Sequence, residues 1–218
     1  MSLNKEAYIQ IKAECDAKGV TLVAVSKIKP NEDIMGLYQL GQRDFGENYV
    51  QELIAKYEAL PKDIRWHFIG HLQSNKVKYI APFVTLIHGV DSEKLLATIN
   101  KEAQKIGKVV DCLLQLHIAK EETKFGMDKE ELANVEAGKF TNTRICGLMG
   151  MGSFSDDKEA VRNEFKTLKS VFNQHQLLTS HHSPLTVLSM GMSGDYKMAI
   201  EEGSTMVRIG SLLFGARN

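Results

Sequence analysis

The sequence predicts a closed (β/α)8 barrel of the TIM type, preceded by one extra helix. Three observations carry this expectation. Eight short apolar segments alternate with amphipathic ones along the 218 residues. The apolar segments are mostly apolar throughout rather than at every second position, as parallel strands covered on both faces are. The alternation runs without a linker or compositional break, so residues 1–218 read as a single domain. A doubly wound open sheet is the alternative. It is weakened by the lack of a G-x-G-x-x-G stretch after the first strand.

The elements follow in order from periodicity and breakers. Leu3 to Lys18 is an amphipathic helix with Gly19 as its stop. Thr21 to Ser26 is a buried strand. Asn31 caps a helix through Leu40, ended by Gly41. Arg43 to Gly46 is a short strand, and Glu47 to Ala59 a helix. Ile64 to Gly70 is a strand, and Ser74 to Ile80 a short helix stopping before Pro82. Phe83 to Val90 is a strand; Ser92 caps a helix to Ile106, with Gly107 after it. Val109 to Ile118 is a long apolar strand, and Asp128 to Ala137 is helical. Arg144 to Met151 is a strand, and Ser155 to Asn173 an amphipathic helix. Leu185 to Met192 is a strand, and Ser193 caps a short helix to Glu202. Thr205 to Gly210 is the last strand, followed by a short tail.

The chain is 43% hydrophobic and 25% charged, with a formal net charge of zero. Such a balance argues against nucleic-acid binding, which leaves a basic footprint. Cys15, Cys112 and Cys146 are far apart and odd in number, so neither a zinc site nor a disulfide framework is expected. Cys112 and Cys146 sit in apolar runs as small core residues. Reduced thiols fit a cytoplasmic protein. The polar N-terminal segment has no signal-peptide core, and no apolar run is long enough to span a bilayer.

In a barrel of this kind, function belongs at the C-terminal ends of the strands. Lys27 stands there, after a run of apolar and small residues. It reads either as a snorkelling surface lysine or as a partly desolvated amine able to attack carbonyls. "SMGMSGD", Ser189 to Asp195, aims backbone N–H groups outward at a helix start, an arrangement that binds phosphate. An ordinary capped turn is the alternative. "RIGSLLFG", Arg208 to Gly215, adds a permanent cation and a glycine that permits close backbone approach. The two motifs fall on strands seven and eight, where barrels often hold phosphate. In "FGENYVQE", Phe45 to Glu52, Glu47 serves the helix dipole and Asn48 is the candidate to face the mouth. In "WHFIGHLQSNK", His67 packs in or beside the strand and His71 is the mouth residue; their spacing straddles Gly70, so helical metal spacing does not apply. Lys124 reads as an anion contact or a solvated loop residue. His175, His181 and His182 fall in a loop at the far end of the barrel. An amine that seeks carbonyls, paired with a phosphate cradle, suits pyridoxal 5′-phosphate, which carries an aldehyde and a phosphate. A Schiff-base phosphosugar aldolase would satisfy the same pair.

Together "AVSKIKP", "FGENYVQE", "WHFIGHLQSNK", "GLMGM", "LSMGMSGD" and "VRIGSLLFG" resemble the pyridoxal phosphate homeostasis protein family, also described as YggS-like or proline-synthase co-transcribed homologues. The match covers nearly the whole chain. The family is similar to the N-terminal barrel of alanine racemase and belongs to fold-type III among proteins of this cofactor. The resemblance implies that Lys27 carries the cofactor as a Schiff base. It implies that Ser193 and Gly194 hold the phosphate, with Gly210 and Ser211 adding N–H groups. It places Arg208 near the pyridine nitrogen, where a cation disfavours protonation and makes the ring a weaker electron sink. It sets Asn48 beside the ring, has Met190 and Met192 line the pocket, and adds His71 and Lys124 as further contacts. Two departures stand out: Ile28, where many relatives are expected to have threonine, and "LMGM", which replaces an alanine-containing version.

Alanine racemases use a tyrosine from a separate C-terminal domain as their second base. Because the sequence stops at Asn218, just after strand eight, the expectation is a cofactor-binding protein of storage or delivery rather than a two-base racemase. Its expected partners are the cofactor and pyridoxal phosphate-dependent apoenzymes, with no metal, and its expected state is a monomer. A minimal amino-acid racemase or lyase is the alternative.

Overall fold

The computed structural model describes residues 3–121, 125–175 and 184–215. Eight parallel strands close in sequence order: β1 (Thr21–Val25), β2 (Asp44–Glu47), β3 (Arg65–Phe68), β4 (Leu86–Val90), β5 (Val110–Gln115), β6 (Thr143–Met149), β7 (Val187–Ser189) and β8 (Met206–Ile209). The seam between the last and first strands is fully paired, with Val23 opposite Arg208 and Ala24 opposite Ile209. Around the sheet lie α2 (Asn31–Gln39), α3 (Val50–Ala59), α4 (Val77–Ile80), α5 (Glu93–Lys105), α6 (Lys129–Ala133), α7 (Lys158–Gln174), α8 (Tyr196–Glu201) and the single turn α9 (Ser211–Phe214). The extra helix, α1 (Lys5–Ala17), packs against α9 and β1. It covers the seam that so short a helix after β8 cannot cover. Asn4 secures it twice: its side chain accepts from the Ala7 N–H, and its own N–H donates to Leu213 O at 2.8 Å.

Side-chain alternation along each strand sorts the core into two layers. The larger lies between strands and helices and holds Trp66, Phe45, Phe68, Phe165 and Phe214, all at most 1% exposed. Burying each such side chain contributes roughly 1.5–3 kcal/mol. α7 shows the helical half of this packing: Asp157 caps it through the Ala160 N–H, and Val161, Phe165, Leu168 and Phe172 form its buried stripe. The smaller layer fills the barrel itself with Val23, Leu86, Leu113, Met149 and Met206. Among the described residues no helix is long and apolar enough to cross a membrane.

The structure moves several predicted details. Glu47 ends β2 instead of opening the next helix; α3 begins at Val50. The N-cap of α2 is Pro30, and Asn31 is its first residue. Ser193 does not cap α8, which starts at Tyr196; its hydroxyl is engaged across the barrel mouth. The predicted tail after the last strand is helical for one turn. Lys124, His181 and His182 lie outside the described residues.

Candidate functional site

Lys27 lies in a tight turn just beyond β1, closed by Lys29 N–H donating to Ser26 O at 3.0 Å. Ile28, the third residue of that turn, has φ +61. This left-handed conformation is unusual for a β-branched residue. It persists because both neighbours of Lys27 are held. The Ile28 N–H donates to Glu52 Oε1 at 2.6 Å. Ser26 is fully buried, and its hydroxyl donates to Glu47 Oε1 at 2.6 Å. Lys56, one turn further along α3, ties the group together by donating to Ser26 O (2.8 Å), Glu47 Oε1 (2.8 Å) and Glu52 Oε1 (2.6 Å). Burial pushes the Glu47 carboxyl up, against the pull of Lys56 and Ser26. Its other oxygen, Oε2, has no hydrogen-bond partner.

Across the seam, the turns after β7 and β8 meet. Gly191 starts the first with φ +93, and a Cβ there would stand 2.5 Å from Ala199 Cβ, so only glycine lets this turn lie on α8. Ser193 Oγ accepts the Gly210 N–H at 3.2 Å, which joins the two turns. The Met192 N–H donates to Asp195 Oδ1. A Cβ on Gly210 would lie 3.2 Å from Val25 O, so this glycine brings the end of β8 against the end of β1. In front of Gly194 a Cβ would meet nothing within 4 Å. The first amides of a helix have no intrahelical acceptor, and Ser211 and Leu212 are the residues that open α9.

Arg208 is 4% exposed and points into the barrel from β8. Its Nη1 donates to Ser189 Oγ at 2.6 Å and its Nη2 to Gly150 O at 3.2 Å. Burial pulls its pKa down to about 10, opposed by Asp195, and it stays a cation at neutral pH. Asn48 follows β2 directly, and its Oδ1 is buried without a partner: an acceptor awaiting a donor. His71 is exposed, with Nδ1 2.9 Å from Asp91 Oδ2 and its ring stacked on Phe125 at 4.0 Å. Met192 is 37% exposed. Met190 does not line the mouth. It is fully buried in the layer between strands and helices, because it directly follows the inward-facing Ser189 at the end of β7 and so has the outward parity.

A cleft of about 640 Å³ opens beside the mouth, lined by Ser153, Phe154, Ser193, Gly194, Asp195 and Lys197 among others. It flanks the turn after β7 and includes neither Lys27 nor Arg208. The residues thus fit pyridoxal phosphate: an amine, a cation, an unpartnered buried acceptor, and two joined turns with open space at Gly194.

Sequence reasoning missed the support behind these groups. Glu47, Glu52 and Lys56 were readable only as helix-surface charges. Their signal is a 47-52-56 spacing that puts Glu52 and Lys56 on one face of α3, above the end of β2. The other missed set is polar residues inside otherwise apolar strands, namely Asp44, His67, His88 and Ser189.

Residues 5–218 match the alanine racemase N-terminal domain family. The pyridoxal phosphate homeostasis protein of Aquifex aeolicus is 41% identical over 218 residues, covering 95% of this chain and 94% of the relative. The human protein of the same name is 40% identical over 210 residues, 90% of this chain and 76% of the relative. Among solved structures, PipY of Synechococcus elongatus with pyridoxal phosphate bound aligns with a TM-score of 0.87 at 34% identity, covering 96% of this chain and 99% of that one. Alanine racemase from Bartonella henselae shares the fold at a TM-score of 0.73 and 17% identity, covering 97% of this chain and 59% of that one. With the predicted closed barrel found and homeostasis proteins about 40% identical matched along nearly the whole of this chain, the chain belongs to the pyridoxal phosphate homeostasis protein family.

Proposed function

We propose that this protein binds pyridoxal 5′-phosphate at the barrel mouth, covalently through Lys27, and keeps it for release rather than turnover. One observation carries the reading: the Ser193–Gly210 hydrogen bond gathers two amide-bearing turns on the same seam as Lys27 and Arg208. When bound, the cofactor supplies an aldehyde that condenses with a primary amine, and a conjugated ring that acts as an electron sink. The chain's own residues then divide the work. Lys27 provides the amine from a turn whose flanks are fixed. Ser193, Gly194, Gly210 and Ser211 hold the phosphate by hydroxyl and backbone N–H, where the dianion meets helix starts. Arg208 keeps a positive charge at the ring end, which opposes protonation of the ring nitrogen and weakens the sink. Asn48 Oδ1 accepts a hydrogen bond at the ring edge, and Met192 and His71 border the opening.

The same reading makes the protein a cytoplasmic monomer that delivers the cofactor to pyridoxal phosphate-dependent apoenzymes. Its three free cysteines suit a reducing compartment. Borohydride reduction of the protein incubated with the cofactor, followed by peptide mass spectrometry, tests the anchor. The adduct is expected on Lys27 and is lost in Lys27→Ala. An adduct on another lysine, or amino-acid turnover abolished by Lys27→Ala, overturns the reading.

A further inference from the structure

A chain of buried polar side chains crosses the barrel interior beneath the mouth. Asp44 Oδ1 lies 3.0 Å from His67 Nε2, His67 Nδ1 lies 2.9 Å from His88 Nε2, and His88 Nδ1 lies 3.1 Å from Ser189 Oγ. Ser189 Oγ in turn receives Arg208 Nη1 at 2.6 Å. His67, His88, Ser189 and Arg208 are at most 4% exposed. Five strands contribute one residue each, all on the inward parity. None of the first four was assigned a role above.

The donors and acceptors fix the direction of the whole chain. Arg208 can only donate, and an ionised Asp44 can only accept. Ser189 Oγ therefore accepts from Arg208 and sends its own proton to His88 Nδ1. His88 then carries its proton on Nε2 and donates to His67 Nδ1, and His67 donates from Nε2 to Asp44. In this arrangement both rings are neutral, and each contact has one donor and one acceptor. Protonating either ring would turn His88 Nδ1 into a donor and leave the Ser189 hydroxyl proton without an acceptor, in a site where that is costly. The surroundings agree. Burial above all, with the Arg208 cation acting in the same direction, holds His88 well below the usual histidine range. Arg65, mostly exposed, binds Asp44 from the solvent side and keeps it ionised.

We propose that Asp44, His67, His88 and Ser189 are positioning residues: a one-way hydrogen-bond relay that orients the Arg208 guanidinium toward the ring end of the bound cofactor. Arg208 makes no salt bridge among the described residues; Asp195 attracts it only through space, and Asp44 reaches it only through polarised neutral rings. A direct carboxylate would quench the charge at the mouth. The relay fixes the guanidinium and leaves its charge available.

The inference rests on the placement of Arg208 at the ring end, so the test has two arms. In the first, nitrogen NMR of the histidine-labelled protein without cofactor reads the tautomers directly. Both rings are expected to be neutral with the proton on Nε2 at pH 7. A proton on Nδ1, or an imidazolium, at either ring overturns the relay whatever binds at the mouth. In the second, His88→Gln, which can still accept from Ser189 and donate to His67, is compared with His88→Leu and Ser189→Ala. Loss of a hydrogen bond to a charged group predicts cofactor affinity lower by roughly tenfold or more in the last two, with a shifted absorption maximum, and substantial rescue in His88→Gln. Equal loss in all three variants, or lowered thermal stability with unchanged affinity and spectrum, reduces the set to a structural one and overturns the proposal. If the first arm succeeds and no variant or wild type binds the cofactor, the reading of the mouth fails and the orienting role falls with it.

Discussion

Lys27 and Arg208 stand at the ends of paired strands, yet the barrel secures them by opposite means. Behind Lys27, outside the sheet, sits a cluster of full charges: Glu47, Glu52 and Lys56, gripping the backbone on both sides of the lysine. Behind Arg208, inside the sheet, sits a file of uncharged groups ending on a distant aspartate, gripping the side chain itself. The contrast follows the tasks proposed for the two cations. A lysine that must form and break a bond needs a fixed base and a side chain able to reach. An arginine that only sets a potential needs its guanidinium fixed. Charges suit the first region because α3 brings both signs together; neutral histidines suit the second because an extra ion inside the barrel would compete with Arg208.

The largest expected effect breaks the charged side of the contrast. Lys56→Met leaves Glu47 buried beside no cation, a change that typically costs about 3–5 kcal/mol. Urea denaturation at neutral pH should show this loss, and Glu47→Gln in the same chain should recover much of it. Because burial raises the Glu47 pKa in the folded protein, the deficit of Lys56→Met should shrink as pH falls and the carboxyl takes up a proton. A double variant no more stable than Lys56→Met would show that the ion pair is not what the cluster depends on.

A smaller effect sharpens the neutral side. Burial would raise the Asp44 pKa, but hydrogen bonds from His67 and Arg65 overcome it and hold the group at about 2. A depressed pKa means stability that is complete above the ordinary aspartate range and is lost as pH falls toward 2, worth about 2 kcal/mol. Asp44→Asn should therefore be less stable at pH 6 and show a flatter stability profile between pH 4 and 2. Parallel profiles for the two proteins would remove the aspartate from the relay's electrostatics. The smallest effect concerns the turn of Lys27. Asparagine tolerates left-handed backbone better than isoleucine, and Ile28 is exposed, so Ile28→Asn should raise stability by roughly 0.5–1 kcal/mol. A thermal shift downward would mean that the isoleucine side chain, not strain, governs the turn.

The barrel was legible because strand and helix patterns are local: each apolar run and each capped amphipathic stretch announces itself within about ten residues. Lys27, Ser193, Gly210 and Arg208 were legible for the same reason, as polar or glycine residues at strand ends. Glu47 was misread because a glutamate near a helix start resembles a dipole partner. Only the exact end of β2, one residue later than predicted, turns it into the space between sheet and helix. Ser193 was misread as a cap because its actual partner, Gly210, arrives from another strand. Met190 and Met192 would share one face of an extended strand, but β7 ends at Ser189 and the left-handed Gly191 turns the chain between them. The His88–Ser189 contact joins residues 101 apart in sequence, a distance no local pattern spans.

Closure of the barrel at the seam of β1 and β8 also sets an order in time. Lys27 emerges in synthesis about 180 residues before Arg208, Gly210 and Ser211. Pairing between the first and last strands is the most non-local strand pairing in the barrel, and such contacts form late. A growing chain therefore exposes the proposed anchor long before the turns proposed to hold phosphate exist. On the proposed reading, capture of the cofactor waits until β8 has been made and paired, which makes the seam a checkpoint on biosynthesis.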